Sequence, residues 1–175
     1  MPTVPTLTTE RLLLRGFADA DFPAYAAMMA DTEVTRHLGD GRPLPPPEAW
    51  RQMAMFAGHW VLRGFGLWAV EERATGAFVG RIGCWEPHGW PDFELGYVVA
   101  RPFWGRGYAS EGARASLAYA REQLGRDRII SIIRPENARS IRVAERFGAT
   151  PEREVEFFGA PARIYAYPRA AAGSA

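Results

Sequence analysis

The chain has 175 residues, with 21 basic and 20 acidic side chains and a formal net charge of +1. That balance argues against a general binder of nucleic acid or membrane surfaces, which needs a charge excess on some face. Hydrophobic residues at 47% and aromatics at 13% suit one α/β domain spanning residues 1–175, with a core at about 6–168, rather than a disordered chain.

Residues 6–15 read as a first strand. Asp19 is placed to cap a helix through Phe22, Tyr25, Met28 and Met29. An irregular piece, 31–41, and a stiff proline connector, 43–47, lead into a long helix from Glu48. Its apolar positions include Trp50, Met53, Ala54, Ala57, Trp60 and Val61. Strands follow at 65–72 and 77–85 around an Ala-Thr-Gly turn, then a loop at 86–91 and a central apolar strand reaching Ala100. Arg101-Pro102 ends that strand, because proline has no N–H for the ladder. A helix with Ala109, Gly112, Ala113, Ser116, Leu117, Ala120 and Leu124 on one face comes next. The strand at Ile129, a helix from about Ala138 to Phe147 stopped by Gly148, and a hairpin (155–158, turn 159–161, 162–167) close the chain. The tail 169–175 is composed to fray.

Two stretches carry chemistry. Trp104-Gly105-Arg106-Gly107-Tyr108-Ala109-Ser110 joins the central strand to a helix. Strand, glycine turn and helix start is a layout in which successive backbone N–H groups hold an anion, and Arg106 can add a charge-assisted contact. The same glycines also suit an ordinary loop. The stretch fits neither a P-loop, since the chain has no lysine, nor a dinucleotide fingerprint, since position 110 is serine. In the second stretch Asn137, the only asparagine, stands before a helix, where it also reads as a plain N-cap.

Together these stretches resemble the GNAT superfamily of acyl-CoA N-acyltransferases, and within it the Rim-type ribosomal-protein-alanine acetyltransferases. Three segments carry the likeness: 7–15 for the first strand, 94–111 for the pyrophosphate motif and 137–149 for the following helix. The resemblance implies a mixed, mostly antiparallel twisted sheet of about seven strands flanked by four helices, with a splayed central strand pair holding the cofactor. It implies that acetyl-CoA is bound by the backbone of Arg106 to Ser110, by the strand edge at Val98 and Val99, and by Trp104, Gly105, Gly107, Tyr108, Ala109, Asn137 and Ser140. Trp104 stands where the family consensus has Gln or Arg.

Acetyl transfer to an amine needs a held cofactor, a neutral amine and a stabilised leaving thiolate. Glu94 is the candidate base; the alternative is a surface carboxylate paired with an arginine. Many GNAT members carry a tyrosine at the position of Ala144 as acid for the thiolate, and here Ser140 is the remaining hydroxyl. Ser140 also fits a capping turn. Trp85, His88, Trp90 and Phe93 are available for the acceptor pocket, with Phe157, Phe158 and Tyr165. Asp31, Glu33, Asp40 and Glu86 are acids that can attract a cationic amine or serve as solvated surface.

The expected function is therefore acetyl transfer from acetyl-CoA to a primary amine, foremost a protein or peptide N-terminus. The alternatives are a small-molecule amine (polyamine, amino acid or aminoglycoside) and a non-catalytic acyl-CoA sensor, which Ala144 supports. His37, His59 and His88 are scattered and Cys84 is the single cysteine, so no metal and no disulfide is expected. With no leader and no apolar run of about 18 residues, a cytoplasmic monomer or homodimer is expected, without nucleic-acid or membrane partners.

Overall fold

The computed structural model describes residues 3–169. The first stretch folds as two strands rather than one: β1 (Leu7–Thr8) and β2 (Leu12–Arg15) pair antiparallel, Leu7 opposite Leu14. Thr9 makes the break, its hydroxyl accepting the Leu12 N–H at 2.9 Å while its own N–H donates to the Leu12 carbonyl at 2.9 Å. A single turn, Asp19–Asp21, leads to helix α1 (Phe22–Ala30). The structural acid here is Asp21 rather than Asp19. It is buried, accepts two guanidinium hydrogen bonds from Arg15 at 2.8 Å and takes the Ala18 N–H at 2.8 Å. The piece expected to be irregular contains helix α2 (Thr32–Thr35), capped by the Asp31 carboxylate on the Glu33 N–H.

Helix α3 (Pro46–Arg63) starts on two prolines, which lose nothing at positions whose N–H groups have no intrahelical partner. Its buried stripe is Ala49, Met53, Phe56 and Trp60, with His59 beside it. Trp50 and Val61, expected inside, are 47% and 53% exposed, because each lies about 100° around the helix from its buried neighbour.

The remaining elements are β3 (Leu67–Glu72), β4 (Ala77–Trp85), β5 (Glu94–Val99), α4 (Tyr108–Glu122), β6 (Ile130–Ile133), α5 (Ala138–Arg146), β7 (Thr150–Phe157) and β8 (Ala160–Ala166). The eight strands run in the order β1-β2-β3-β4-β5-β6-β8-β7. Every neighbouring pair is antiparallel except β5 and β6. The split first strand and the short α2 account for the extra strand and helix over expectation. The last hairpin is longer than expected and turns on Phe158-Gly159, both with positive φ (49° and 70°), the geometry that follows strand twist in a two-residue turn.

Apolar side chains gather in two clusters. One, with Leu12, Trp68, Ile82, Leu95, Leu117 and Ile129, packs under α4 and α5 and contains Cys84. The other, with Tyr25, Met28, Phe56, Leu67, Trp85 and Val98, lies under α1 and α3. Gly112 on α4 is a close-packing site: a Cβ there would stand 2.5 Å from Ile82 Cδ1. No helix among the described residues is long and apolar enough to cross a membrane.

Candidate active site

The parallel pair is where the sheet opens. β5 and β6 register only at Glu94 opposite Ile130. The Ile130 N–H reaches the Phe93 carbonyl at 3.0 Å and the Ser131 hydroxyl reaches the Leu95 carbonyl at 2.7 Å. Beyond that point β5 has no strand on this side, and Val99 gives its carbonyl to the Trp104 indole N–H at 2.6 Å. Carbonyls 93, 95 and 99 share this side, and the period of two adds the backbone of Tyr97. The Ala100 N–H turns the other way, to the Val79 carbonyl at 2.8 Å. The free edge therefore belongs to Tyr97 and the Val99 N–H, while Val98 turns its backbone to β4 and its side chain into the site.

At the end of β5 the chain makes a tight turn through Gly105 (φ 78°) and Gly107 (φ 80°), conformations that need no Cβ. Gly107 is the N-cap of α4 and supplies no side chain, so the N–H groups of Tyr108, Ala109 and Ser110 stay uncapped; the first intrahelical bond is Glu111 N–H to the Gly107 carbonyl. These amides border a groove of about 920 Å³ whose other wall is α5, with Asn137, Arg139, Arg142 and Arg146. Uncapped amides, arginines opposite and a free strand edge fit a pyrophosphate joined to an amide-bearing arm.

Two expected contacts are placed differently. Arg106 turns out of the groove, to Glu72 at 3.4 Å and the Phe103 ring at 5.2 Å, so only its backbone belongs to the turn. Trp104 spends its N–H on Val99 and lies under the Arg139 guanidinium at 4.0 Å, clasping strand to helix. The Tyr108 hydroxyl bonds to Glu72. Arg11 holds the whole turn: its guanidinium binds the Arg106 carbonyl at 2.9 Å and the Glu111 carboxylate at 2.7 Å. Thr9 adds its hydroxyl to Glu111 at 2.6 Å.

A second cavity, about 470 Å³, lies across β5, between α3 and the final hairpin. Glu94 lines it half-buried, its carboxylate accepting the Trp90 indole N–H at 2.7 Å and the Ile132 N–H at 3.3 Å. Burial pushes this carboxyl up to about 7, against the downward pull of those two hydrogen bonds and of Arg81. Trp90 stands edge-on to Phe157 at 4.9 Å, and Trp85 edge-on to Phe56 at 4.9 Å.

His88 and Phe93 do not line this cavity. His88 is exposed on its loop, and Phe93 is buried on the opposite face of the sheet, against Phe65 at 5.0 Å and the Arg126 guanidinium at 4.6 Å. Strand alternation is the reason: the neighbour of an inward Glu94 must point outward. Tyr165 is likewise buried outside it. The four scattered acids are all engaged, Asp31 by Arg101, Glu33 by Arg36, Asp40 by Arg42 and Glu86 by Arg63 and Arg126. Cavity residues the sequence did not suggest include His37, Gln52, Phe56, Arg81 and Arg134.

The groove and the cavity meet at His37, Leu38, Tyr97, Val98, Asn137 and Ser140. The Asn137 side chain accepts the Ser140 N–H at 3.2 Å, a cap for α5. The Tyr97 hydroxyl donates to the Ser140 carbonyl at 2.9 Å, and Ala144 lies buried one turn further on. The Ser140 hydroxyl is left at the junction. Among the described residues no three His, Cys, Asp or Glu side chains cluster as a metal site.

Residues 11–150 match the family described as the acetyltransferase (GNAT) domain. The uncharacterized N-acetyltransferase YoaA of Bacillus subtilis (strain 168) is 30% identical over 151 residues, covering 85% of this chain and 84% of its own. The crystal structure of an acetyltransferase from Agrobacterium tumefaciens str. C58 is 35% identical and covers 97% of each chain with a TM-score of 0.85. RimL, a ribosomal L7/L12 alpha-N-protein acetyltransferase solved with coenzyme A, is 17% identical. It has a TM-score of 0.77 over 94% of this chain and 98% of its own, a likeness of fold alone.

Proposed function

The chain belongs to the acetyltransferase (GNAT) family, whose members transfer acetyl groups from acetyl-CoA to amines, and on that premise we propose that Glu94 is the base that frees the attacking amine. The observation that carries this is its position: one carboxylate, held by Trp90 and the Ile132 amide, in a cavity that joins the free edge of β5. Acetyl-CoA supplies the acetyl thioester. Tyr108, Ala109 and Ser110 offer their uncapped N–H groups to its pyrophosphate, and Tyr97 and Val99 offer their strand edge to its amide-bearing arm. The carboxylate of Glu94 takes a proton from the acceptor ammonium, leaving the nitrogen lone pair free. A pKa of about 7 leaves roughly half of the carboxyl ionised at neutral pH and makes the ionised form basic enough to accept that proton. Ser140 is the hydroxyl available to the departing thiolate. With Ala144 in the tyrosine position no stronger acid stands on α5, and a thiol of ordinary pKa about 8.5 leaves as an anion at little cost.

The acceptor is a primary amine. A protein or peptide N-terminus and a small-molecule amine both present the ammonium that Glu94 needs, and the far end of the cavity separates them. Thiol release from acetyl-CoA, measured across a panel of amines with wild-type protein and Glu94→Gln, tests the reading. Cofactor binding without turnover on any amine would instead identify a sensor.

A further inference from the structure

The acceptor cavity has a second charged end. Arg81 on β4 stands opposite Val98, and Glu94 on β5 stands opposite Trp85. Both side chains rise from one face of the sheet, their registers four residues or ~13 Å apart along the strands. Between them Gly96 contributes no side chain; a Cβ there would meet only Leu67, at 3.6 Å. The Arg81 guanidinium lies on the Phe56 ring at 4.7 Å. Phe56 abuts Trp85 at 4.9 Å, Trp85 abuts Trp90 at 6.3 Å, and Trp90 bonds to Glu94. One aromatic wall thus runs from a cation to a carboxylate.

What sets Arg81 apart is that no acid is paired with it, although Glu94 feels its charge across the cavity. Among the described residues it forms no salt bridge, and its buried Nε has no hydrogen-bond partner. Arg81 is half-buried, and its Nε–H is withdrawn from water without an acceptor, a cost that an anion brought to the guanidinium recovers. Its near neighbour is the Tyr25 hydroxyl, which donates to Gln52 Oε1 and leaves the Gln52 amide N–H groups for the cavity. The other arginine lining the cavity, Arg134, spends its donors on the carbonyls of Ala160, Pro161 and Gly39.

We infer that Arg81, with Gln52, binds a carboxylate on the acceptor, and that the acceptor is a free amino carboxylate whose ammonium lies toward Glu94 and whose carboxylate lies toward Arg81. The inference rests on the reading of Glu94 as the amine end. A protein N-terminus has no free carboxylate at that separation unless an acidic side chain supplies it.

The test compares amino carboxylates of increasing chain length with their carboxamides, reading kcat/KM by thiol release. The acids are expected to exceed their amides at least ~10-fold, although the amine of an α-amino amide is the less basic and more often neutral. In Arg81→Met the KM for the acid should rise on the order of 10²-fold and the acid-to-amide ratio should fall to about one. Calorimetric titration of the best acid into CoA-loaded protein reads the same end without turnover. Arg81-dependent binding with no acetylation would keep the carboxylate site and defeat the reading of Glu94. Acetylation with no preference for acid over amide, or only of peptide N-termini, would overturn the carboxylate site. The wild-type comparison stands even if the variant does not fold.

Discussion

The role proposed for Glu94 sets function against stability. In the folded chain the carboxyl titrates near 7, against an ordinary 4.5, so between those values the folded state holds a proton that the unfolded state has released. Stability from this group is therefore complete below about pH 4.5 and is lost as pH rises through 7. Activity needs the opposite form and should rise through the same interval. Glu94→Gln is expected to lower kcat/KM by ~10²–10⁴, to abolish the acidic limb near pH 7 and to melt above wild type at pH 8. Wild-type rates across pH in the variant would show that the amine arrives already neutral. Glu94 was legible in the sequence because it sits two residues before Gly96 in an unmistakable strand, and alternation gave its face. Arg81 was not, because β4 carries Gly80 and Gly83, which blur the alternation, and because one arginine among 21 basic residues has no signature. Only the absence of a paired acid and the unpartnered Nε distinguish it, and those are properties of the folded chain.

At the scale of elements, the start of α4 and the start of α5 present opposite cases. α4 has no side-chain cap, and its turn depends on Gly107 at a positive φ held by Arg11. Gly107→Val should remove most affinity for CoA in a titration while circular dichroism stays normal; unchanged affinity would place the pyrophosphate elsewhere. α5 has a cap, so Asn137→Ala should cost roughly 1 kcal/mol, read as a lower melting temperature. Ser140→Ala removes only a hydroxyl at the junction and should lower kcat ~10-fold with CoA affinity little changed. If it lowers the melting temperature instead and leaves turnover intact, Ser140 belongs to the capping turn alone. Glycine turn, cap and helix were readable because each is local. The clasp of Thr9 and Arg11 on Glu111 was not, since it joins residues about a hundred positions apart, and local pattern says nothing about such pairs.

The molecule as a whole is two antiparallel parts, β1 to β5 and β6 to β8, joined in the sheet by one registered pair. Hairpin connections account for the pairs β1–β2, β3–β4, β4–β5 and β7–β8, whereas β2–β3 and β6–β8 join strands with other elements between them, and the length of the seam depends on how far β5 and β6 diverge. A ligand lying along that seam touches both parts, so CoA at 100 times its Kd should add about 2.7 kcal/mol and raise the melting temperature by roughly 5–11 °C. Gly107→Val should lose that shift, and a wild-type chain that shows none would bind no CoA in the seam. The seam also gives Cys84 a use. The only thiol of the chain lies buried in the core under α4, with burial pushing its pKa far up. A thiol reagent added to the native protein therefore counts released coenzyme and leaves the enzyme unlabelled. In the absence of substrate, the slow labelling that remains is a clock for the opening of the core, and its slowing with added CoA would time how firmly the ligand holds the two parts together.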